Sequence, residues 1–191
     1  FNQIVSFNAL RRAAKAAIRG KRRNPGPAAF NAGLESELLH LVDDLKSHRY
    51  RPGKYVEIEI FDPKHRIVSA APFRDRVVHH ALMTVVAPLF ERGFIHHSFA
   101  NRKGKGTHRA IKTYERYRDR HDFVLRADIY RYFPAIDHAV LKKDLRRRVA
   151  CPRTLDLLDL IIDGSNKQEP VNDYYPGDDL FAPYQRRRGL P

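Results

Sequence analysis

An apolar segment that ends in a single carboxylate constrains this chain more than any other feature. Residues 123–125 are Phe, Val and Leu, they open the sequence FVLRADIYRYFPAID, and Asp128 follows three positions later. Phe133 comes five positions after the acid, and Pro134 then interrupts regular backbone hydrogen bonding. The apolar start predicts a buried β-strand over 123–129, with Asp128 near its end and an open turn after it.

A carboxylate in this position suits a divalent metal ion, because Mg²⁺ prefers carboxylate and carbonyl oxygens. Asp128 would bind through its side chain and Ile129 through its backbone carbonyl. Such ions serve phosphoryl transfer, where they neutralise charge that develops on phosphate. The alternative for an isolated acid is that Asp128 accepts hydrogen bonds from loop N–H groups. Phe133 favours the metal, because a flat ring one short turn away would contact a bound sugar.

The charge of the chain predicts a polyanionic partner. Lys and Arg number 36 against 22 Asp and Glu, which gives a formal net charge of +14. No apolar run reaches the length of a membrane span and no basic amphipathic helix adjoins one, so nucleic acid is favoured over a membrane. A single cysteine, Cys151, excludes a disulfide framework within the chain and fits a reducing cytoplasm.

A basic hairpin is predicted upstream of Asp128. KYVEIEIF (54–61) alternates apolar and polar side chains, which predicts a half-buried strand, and RIVSAA (66–71) predicts the returning strand. Lys64 and Arg66 then lie near the tip. The segment ANRKGKGTH (100–108) predicts a basic loop.

Amphipathic spacing and cap residues predict helices over much of the remaining chain. They are expected over 7–19 with Ser6 as N-cap, over 28–47, over 75–91, over 108–120 with Thr107 as N-cap, over 138–149 with Asp137 as N-cap, and over 153–162 before Gly164.

Four blocks of the chain resemble the blocks of bacterial reverse transcriptases, in that family's order, over about residues 50–191. VLRADIYRYFPAIDH resembles motif A, the strand and turn of the polymerase palm. DPKHRIVSAAPFRDRVVHHAL (62–82) resembles the fingers hairpin and its first helix, and HSFANRKGKGTHRAI (97–111) resembles the next block. RRRGLP (186–191) resembles the start of the block after motif A. Within this family, the sequences FRDRVVHHAL and RKGKGTH are most similar to those of diversity-generating retroelement enzymes. Group II intron, retron and antiviral-defence enzymes share the same core blocks.

The resemblance implies an RNA-directed DNA polymerase that joins dNTPs by two-metal nucleotidyl transfer with Mg²⁺ or Mn²⁺. Asp128 matches the first metal-binding aspartate, and Phe133 matches the steric gate that rejects a 2′-OH. Lys64 and Arg66 match fingers residues that hold the triphosphate. Four further cations are expected to contact template backbone or nucleotide phosphate, with a solvated loop as the alternative: Arg102, Lys103, Lys105 and Arg109. Asp75 and Arg76, the DR pair of the fingers block, are interpreted as mainly structural.

The expected fold class is α/β (α+β), with right-hand polymerase fingers and a partial palm. A helical segment is expected over 1–50, the fingers over 51–122, and the first part of the palm over 123–191. Implied partners are an RNA template, a DNA primer or RNA–DNA duplex, and dNTP, with an accessory protein left open. No membrane is expected, and the implied location is the bacterial cytoplasm.

The chain departs from the family in one respect. The aromatic-x-Asp-Asp hairpin is expected after the block that begins GLP, where this sequence ends. YYPGDD (174–179) is similar but carries Pro176 in the supposed strand, so Asp178 and Asp179 are interpreted as loop residues. We therefore expect a fragment that is inactive alone, from an active enzyme. The alternatives are a non-catalytic nucleic-acid-binding module on the same scaffold and an antiviral polymerase that makes DNA without a template.

Overall fold

The computed structural model describes residues 1–61, 65–129, 132–165, 176–185 and 187–190. Most elements in this part of the chain are helices, and a two-stranded antiparallel sheet follows the fourth helix, a mixture compatible with the expected α+β class. In chain order the elements are α1 (Asn2–Val5), α2 (Phe7–Ile18), α3 (Pro25–Ala32), α4 (Leu34–Lys46), β1 (Val56–Ile60), β2 (Arg66–Ala70), α5 (Phe73–Glu91), α6 (Thr107–Arg118), α7 (Tyr132–Ala135), α8 (His138–Arg146), α9 (Pro152–Asp163) and α10 (Ala182–Gln185).

The helix predicted over 28–47 is two helices, α3 and α4, which meet at Gly33. Glycine is among the poorest helix formers, so a break there costs little. Glu35 and Glu37 then lie in the first turn of α4, where negative charge stabilises a helix start. The amphipathic pattern continues across the break, which is why periodicity alone predicted one helix.

One hydrophobic core joins the N-terminal helices to α5 and α9. Alanines on α2 let that helix pack closely on α5, and the leucines of α4 join the same core beside α2. The core includes residues from each of the three segments expected from the sequence: Leu10 from 1–50, Val78 from 51–122 and Leu157 from 123–191.

The predicted hairpin is present, with Val56 opposite Ala70 and Ile60 opposite Arg66. The prediction that its first strand is half-buried is wrong, because every residue of β1 is exposed. Alternation marks a face that can be buried, but burial also needs a covering element. In the described part of the chain, β1 and β2 make their main contacts with each other.

The strand predicted over 123–129 is also absent, because these residues form irregular, exposed chain. Phe123 is 92% exposed and Leu125 is 91% exposed, so the expectation of a buried strand is wrong. A strand needs backbone partners on a neighbouring strand. No described segment pairs with 123–129, and the apolar sequence cannot form a strand by itself.

The predicted helix ends are correct where a side chain or glycine makes a local contact. Ser6 accepts a hydrogen bond from Ala9 N at the start of α2, and Asp137 accepts from Ala139 N and Val140 N at the start of α8. Gly164 follows α9 as predicted. The cap predicted at Thr107 is wrong: Thr107 is the first residue of α6, and the N-cap position is held by Gly106 without a side-chain hydrogen bond.

Candidate functional site

Asp128 lies in the exposed segment that replaces the predicted strand. Its neighbour Ile129 is exposed as well, so a carboxylate and an adjacent backbone carbonyl are both accessible to solutes. These donors fit a hard divalent cation in type. Among the described residues, no three His, Cys, Asp or Glu side chains are grouped so that they could hold a metal ion. Asp128 therefore supplies one carboxylate, and a two-metal site needs others beside it.

Phe133 lies in the short helix α7 and is 58% exposed. Its ring meets Tyr132 edge-to-face with the ring centroids 5.2 Å apart. Phe133 is therefore not a core residue in this structure. The ring is instead open to an incoming molecule.

Residues 133–138, which follow Asp128 in the motif A block, are braced by the chain segment 187–190. Asp137 and Arg188 form an antiparallel bridge between the two segments. Three backbone hydrogen bonds extend the bridge on both sides: Leu190 N to Phe133 O at 3.1 Å, Gly189 N to Ile136 O at 2.9 Å, and His138 N to Arg187 O at 3.0 Å. The sequence blocks that contain Asp128 and RRRGLP are thus brought into direct contact.

His138 strengthens this brace with its side chain. It is only 6% exposed, and its Nε2 lies 2.8 Å from the carbonyl oxygen of Gly189. A carbonyl only accepts hydrogen bonds, so Nε2 carries the proton of this contact. Nδ1 lies 3.8 Å from Oδ1 of Asp163, whose carboxylate also binds Lys142 Nζ at 2.6 and 2.7 Å. Sequence reasoning assigned His138 no role, although the IDH of the motif A resemblance includes it.

The hairpin tip is described in part. Lys64 lies outside the described residues, and Arg66 begins β2 with its backbone opposite Ile60. Next to the tip, the His65 ring centroid lies 4.9 Å from that of Phe61. The hairpin therefore holds position 66 at the end of a two-stranded arm.

The base of this arm is fixed by Asp75, a buried carboxylate at the start of α5. Asp75 accepts a hydrogen bond from Tyr50 Oη at 2.8 Å and another from Gly53 N at 2.8 Å. Burial, together with the charge of Asp75, raises the pKa of the Tyr50 hydroxyl. A Cβ on Gly53 would lie 2.8 Å from Cγ of Pro72, so only glycine allows this close approach. The structural role predicted for Asp75 is confirmed by these contacts.

Arg102 is bound within its own loop. Its Nε donates to Glu91 at 2.7 Å, and its Nη1 donates to the carbonyl oxygens of Ile95 and Ser98 at 2.9 and 3.1 Å. The side chain is only 11% exposed. In this structure Arg102 shapes the loop, and little of its guanidinium is available to a phosphate.

Lys105 also contacts residues of the same loop, through fewer hydrogen bonds than Arg102. Its Nζ donates to the carbonyl oxygen of His96 at 2.6 Å and lies 5.2 Å from the ring centroid of Phe99. The cation lowers the pKa of the exposed His96 imidazole, because two nearby positive charges repel.

Lys103 and Arg109 are exposed, and neither forms an ion pair with a described carboxylate. Exposed aromatic side chains, Tyr114 and Tyr117, follow on α6. Cations interleaved with exposed aromatic rings are typical of surfaces that bind single-stranded nucleic acid, because bases stack on the rings while cations contact phosphates.

No helix in the described ranges combines the length and the apolar character that crossing a lipid bilayer requires.

Comparison with known proteins finds a similarity over part of the chain. The chain is 31% identical over 136 residues to Protein YkfC of Escherichia coli (strain K12). The match covers 68% of this chain and 36% of YkfC, so the chain spans about a third of the length of that relative. No protein-family model matches the chain.

Proposed function

We propose that this chain contains the fingers and the first part of the palm of a bacterial RNA-directed DNA polymerase. The observation that carries the proposal is the brace on residues 133–138, which follow Asp128 in the motif A block. Segment 187–190 holds residues 133–138 by backbone hydrogen bonds, while Asp128 and Phe133 stay exposed. An exposed acid, followed five positions later by an exposed ring next to a braced segment, suits a nucleotide site better than a core.

Each proposed role follows from the chemistry of one group. Asp128 and the Ile129 carbonyl would hold a Mg²⁺ or Mn²⁺ ion, which neutralises phosphate charge and makes the attacking hydroxyl more acidic when bound. The Phe133 ring lies against the sugar of the incoming dNTP and leaves no room for a 2′-OH. Lys64 and Arg66, the two cations that the family resemblance assigns to the fingers, would donate charged hydrogen bonds to the triphosphate.

The template is proposed to lie on the basic and aromatic surface of the loop and α6. Lys103 and Arg109 contact its phosphates, and Tyr114 and Tyr117 offer stacking faces. Arg102 and Lys105 keep the loop in shape through the contacts with Glu91 and backbone carbonyls. The partners proposed are an RNA template with a DNA primer or RNA–DNA duplex in the bacterial cytoplasm, with an accessory protein left open.

Primer extension by the complete gene product tests this function. A labelled DNA primer is offered with dNTPs and Mg²⁺ or Mn²⁺ on an RNA template, on a DNA template of the same sequence, and without a template. Incorporation directed by the RNA template is expected. DNA synthesis that needs no template would replace the proposal with a template-independent polymerase, and RNA binding without incorporation would replace it with a non-catalytic binding module.

A further inference from the structure

The positive charge of the chain is concentrated at its N-terminal end. Residues 1–34 contain no Asp or Glu, and the first acid is Glu35. The same residues contain seven cations, which equal half of the net charge of +14: Arg11, Arg12, Lys15, Arg19, Lys21, Arg22 and Arg23. No role in the proposed polymerase site uses any of them.

The fold presents these cations together on the surface. The apolar side of α2, with Leu10, Ala14 and Ile18, is buried in the core against α5 and α4. The opposite side is exposed, and Lys15 and Arg19 follow each other there at helical spacing. Residues four apart on a helix lie about 6 Å apart, so the charges form a continuous stripe.

A turn after α2 extends this stripe. Gly20 has φ +74°, a left-handed conformation that side chains rarely adopt, and Lys21 N then donates to Ile18 O at 2.8 Å. The chain thus folds back at the end of the helix and adds the exposed cations of residues 21–23. None of the seven side chains forms an ion pair with a described carboxylate. We call these seven residues the α2 basic face.

The α2 basic face differs in chemistry from the surface around α6. None of the exposed large apolar or aromatic side chains of the described chain falls within residues 1–38, whereas Tyr114 and Tyr117 are exposed on α6. Without aromatic rings, the face has no platform on which unpaired bases could stack. It also has no apolar side chain to insert into a membrane, because the apolar side of α2 is already buried.

We propose that the α2 basic face is a second nucleic-acid-binding surface, which takes the phosphate backbone of double-stranded or hairpin nucleic acid. Evenly spaced cations contact a regular row of phosphates without reading base sequence. This function does not depend on the proposed polymerase activity, since a non-catalytic chain would bind in the same way. It would hold a structured region of the nucleic acid while another surface holds the single strand.

The test compares two charge-matched double variants of the complete gene product. Lys15→Gln with Arg19→Gln removes two cations from the α2 basic face, and Lys46→Gln with Lys143→Gln removes two exposed cations from α4 and α8. Binding of each to an RNA hairpin duplex and to an unstructured single-stranded RNA of equal length is measured over a salt series. Circular dichroism checks that helix content is unchanged.

We expect the first variant to lose duplex affinity and to lower the log–log salt slope by roughly 0.9 for each phosphate contact removed. Its single-strand binding should change no more than that of the control. An equal loss in both variants would reduce the effect to net charge and overturn the proposal. A loss confined to single-stranded RNA, or to vesicles of anionic lipid tested in parallel, would also overturn it. Primer extension is scored separately, so failure of either proposal leaves the other standing.

Discussion

The stretch 123–137 has exposed side chains of two kinds, and exposure suits the chemistry of only one kind. Phe123 and Leu125 resemble core residues in sequence and are exposed, whereas Asp128 and Phe133 are exposed where their proposed roles need exposure. Exposure of a carboxylate costs nothing, because water solvates its charge. The exposed position of Asp128 therefore does not destabilise the fold, and it leaves the carboxylate accessible to a metal ion.

Removing the ring of Phe133 tests its proposed role in sugar selection. Phe133→Ala in the complete gene product should lower the ratio of kcat/KM for dNTP over rNTP by about 10- to 100-fold, because a 2′-OH then fits. Phe133→Tyr keeps the ring and should keep most of the ratio. A ratio unchanged by Phe133→Ala, with both substrates slowed alike, would remove Phe133 from the sugar site.

Asp75 gives a stability prediction that does not depend on catalysis. Asp75→Asn replaces one of two acceptor oxygens with an N–H donor and removes the charge. The hydrogen bond from Tyr50 Oη must then reverse its direction or the one from Gly53 N must break, and both lose a charged acceptor. We expect the free energy of unfolding to fall by about 2 kcal/mol in urea denaturation. Asp119→Asn, at an exposed position, should change it by only a few tenths. Equal effects of the two changes would show that the Asp75 contacts contribute little.

At the scale of helices and strands, the sequence predicted local structure better than paired structure. The caps at Ser6 and Asp137 and the helix end at Gly164 depend on residues a few positions away, and they are present. The strand at 123–129 depends on a distant partner, and it is absent. The brace between 187–190 and the turn after Asp128 escaped prediction for the same reason, since nothing local indicates that two segments about 50 residues apart will pair.

The brace predicts a specific effect of His138. His138→Leu removes the donor to Gly189 O and should loosen segment 187–190, seen as faster amide hydrogen exchange at Gly189 and Leu190. His138→Gln can place an amide N–H near the position of Nε2 and should restore much of the protection. If the Leu variant exchanges at the wild-type rate at both amides, the side-chain contact does not support the turn.

At the scale of the whole molecule, the described residues form one core and leave large apolar segments exposed. The core could be anticipated from the helical periodicity of residues such as Leu38, Leu41 and Val78. The exposure of β1, β2 and 123–129 could not be anticipated. An apolar pattern indicates which face of an element can be buried, but it does not show whether another element packs on that face. The net charge of the chain predicts nucleic acid as a partner. The fold shows that exposed cations lie on separate elements, including α2 and α6.

Folding stability should also depend on pH through His79. Burial lowers the pKa of its imidazole below the usual value of about 6.5, so the unfolded state binds more protons at mildly acidic pH. The free energy of unfolding should therefore fall as the pH drops from about 7 to about 5. His79→Gln should reduce this dependence. His80→Gln, at the exposed neighbour, removes only a smaller repulsive contribution to the same pKa shift and should change the dependence less. Identical pH profiles for all three proteins would exclude His79 as the cause.

The central claim is that Asp128 serves a polymerase site, and one comparison tests it most directly. Asp128→Asn and Asp122→Asn both remove an exposed carboxylate from the same segment, and neither acid forms an ion pair with a described residue. RNA-templated primer extension by the complete gene product is measured for both at saturating dNTP and Mg²⁺. The account predicts that Asp128→Asn abolishes extension, because an amide lacks the charge that the metal requires, while Asp122→Asn extends at close to the wild-type rate. Extension by Asp128→Asn at the wild-type rate would contradict it.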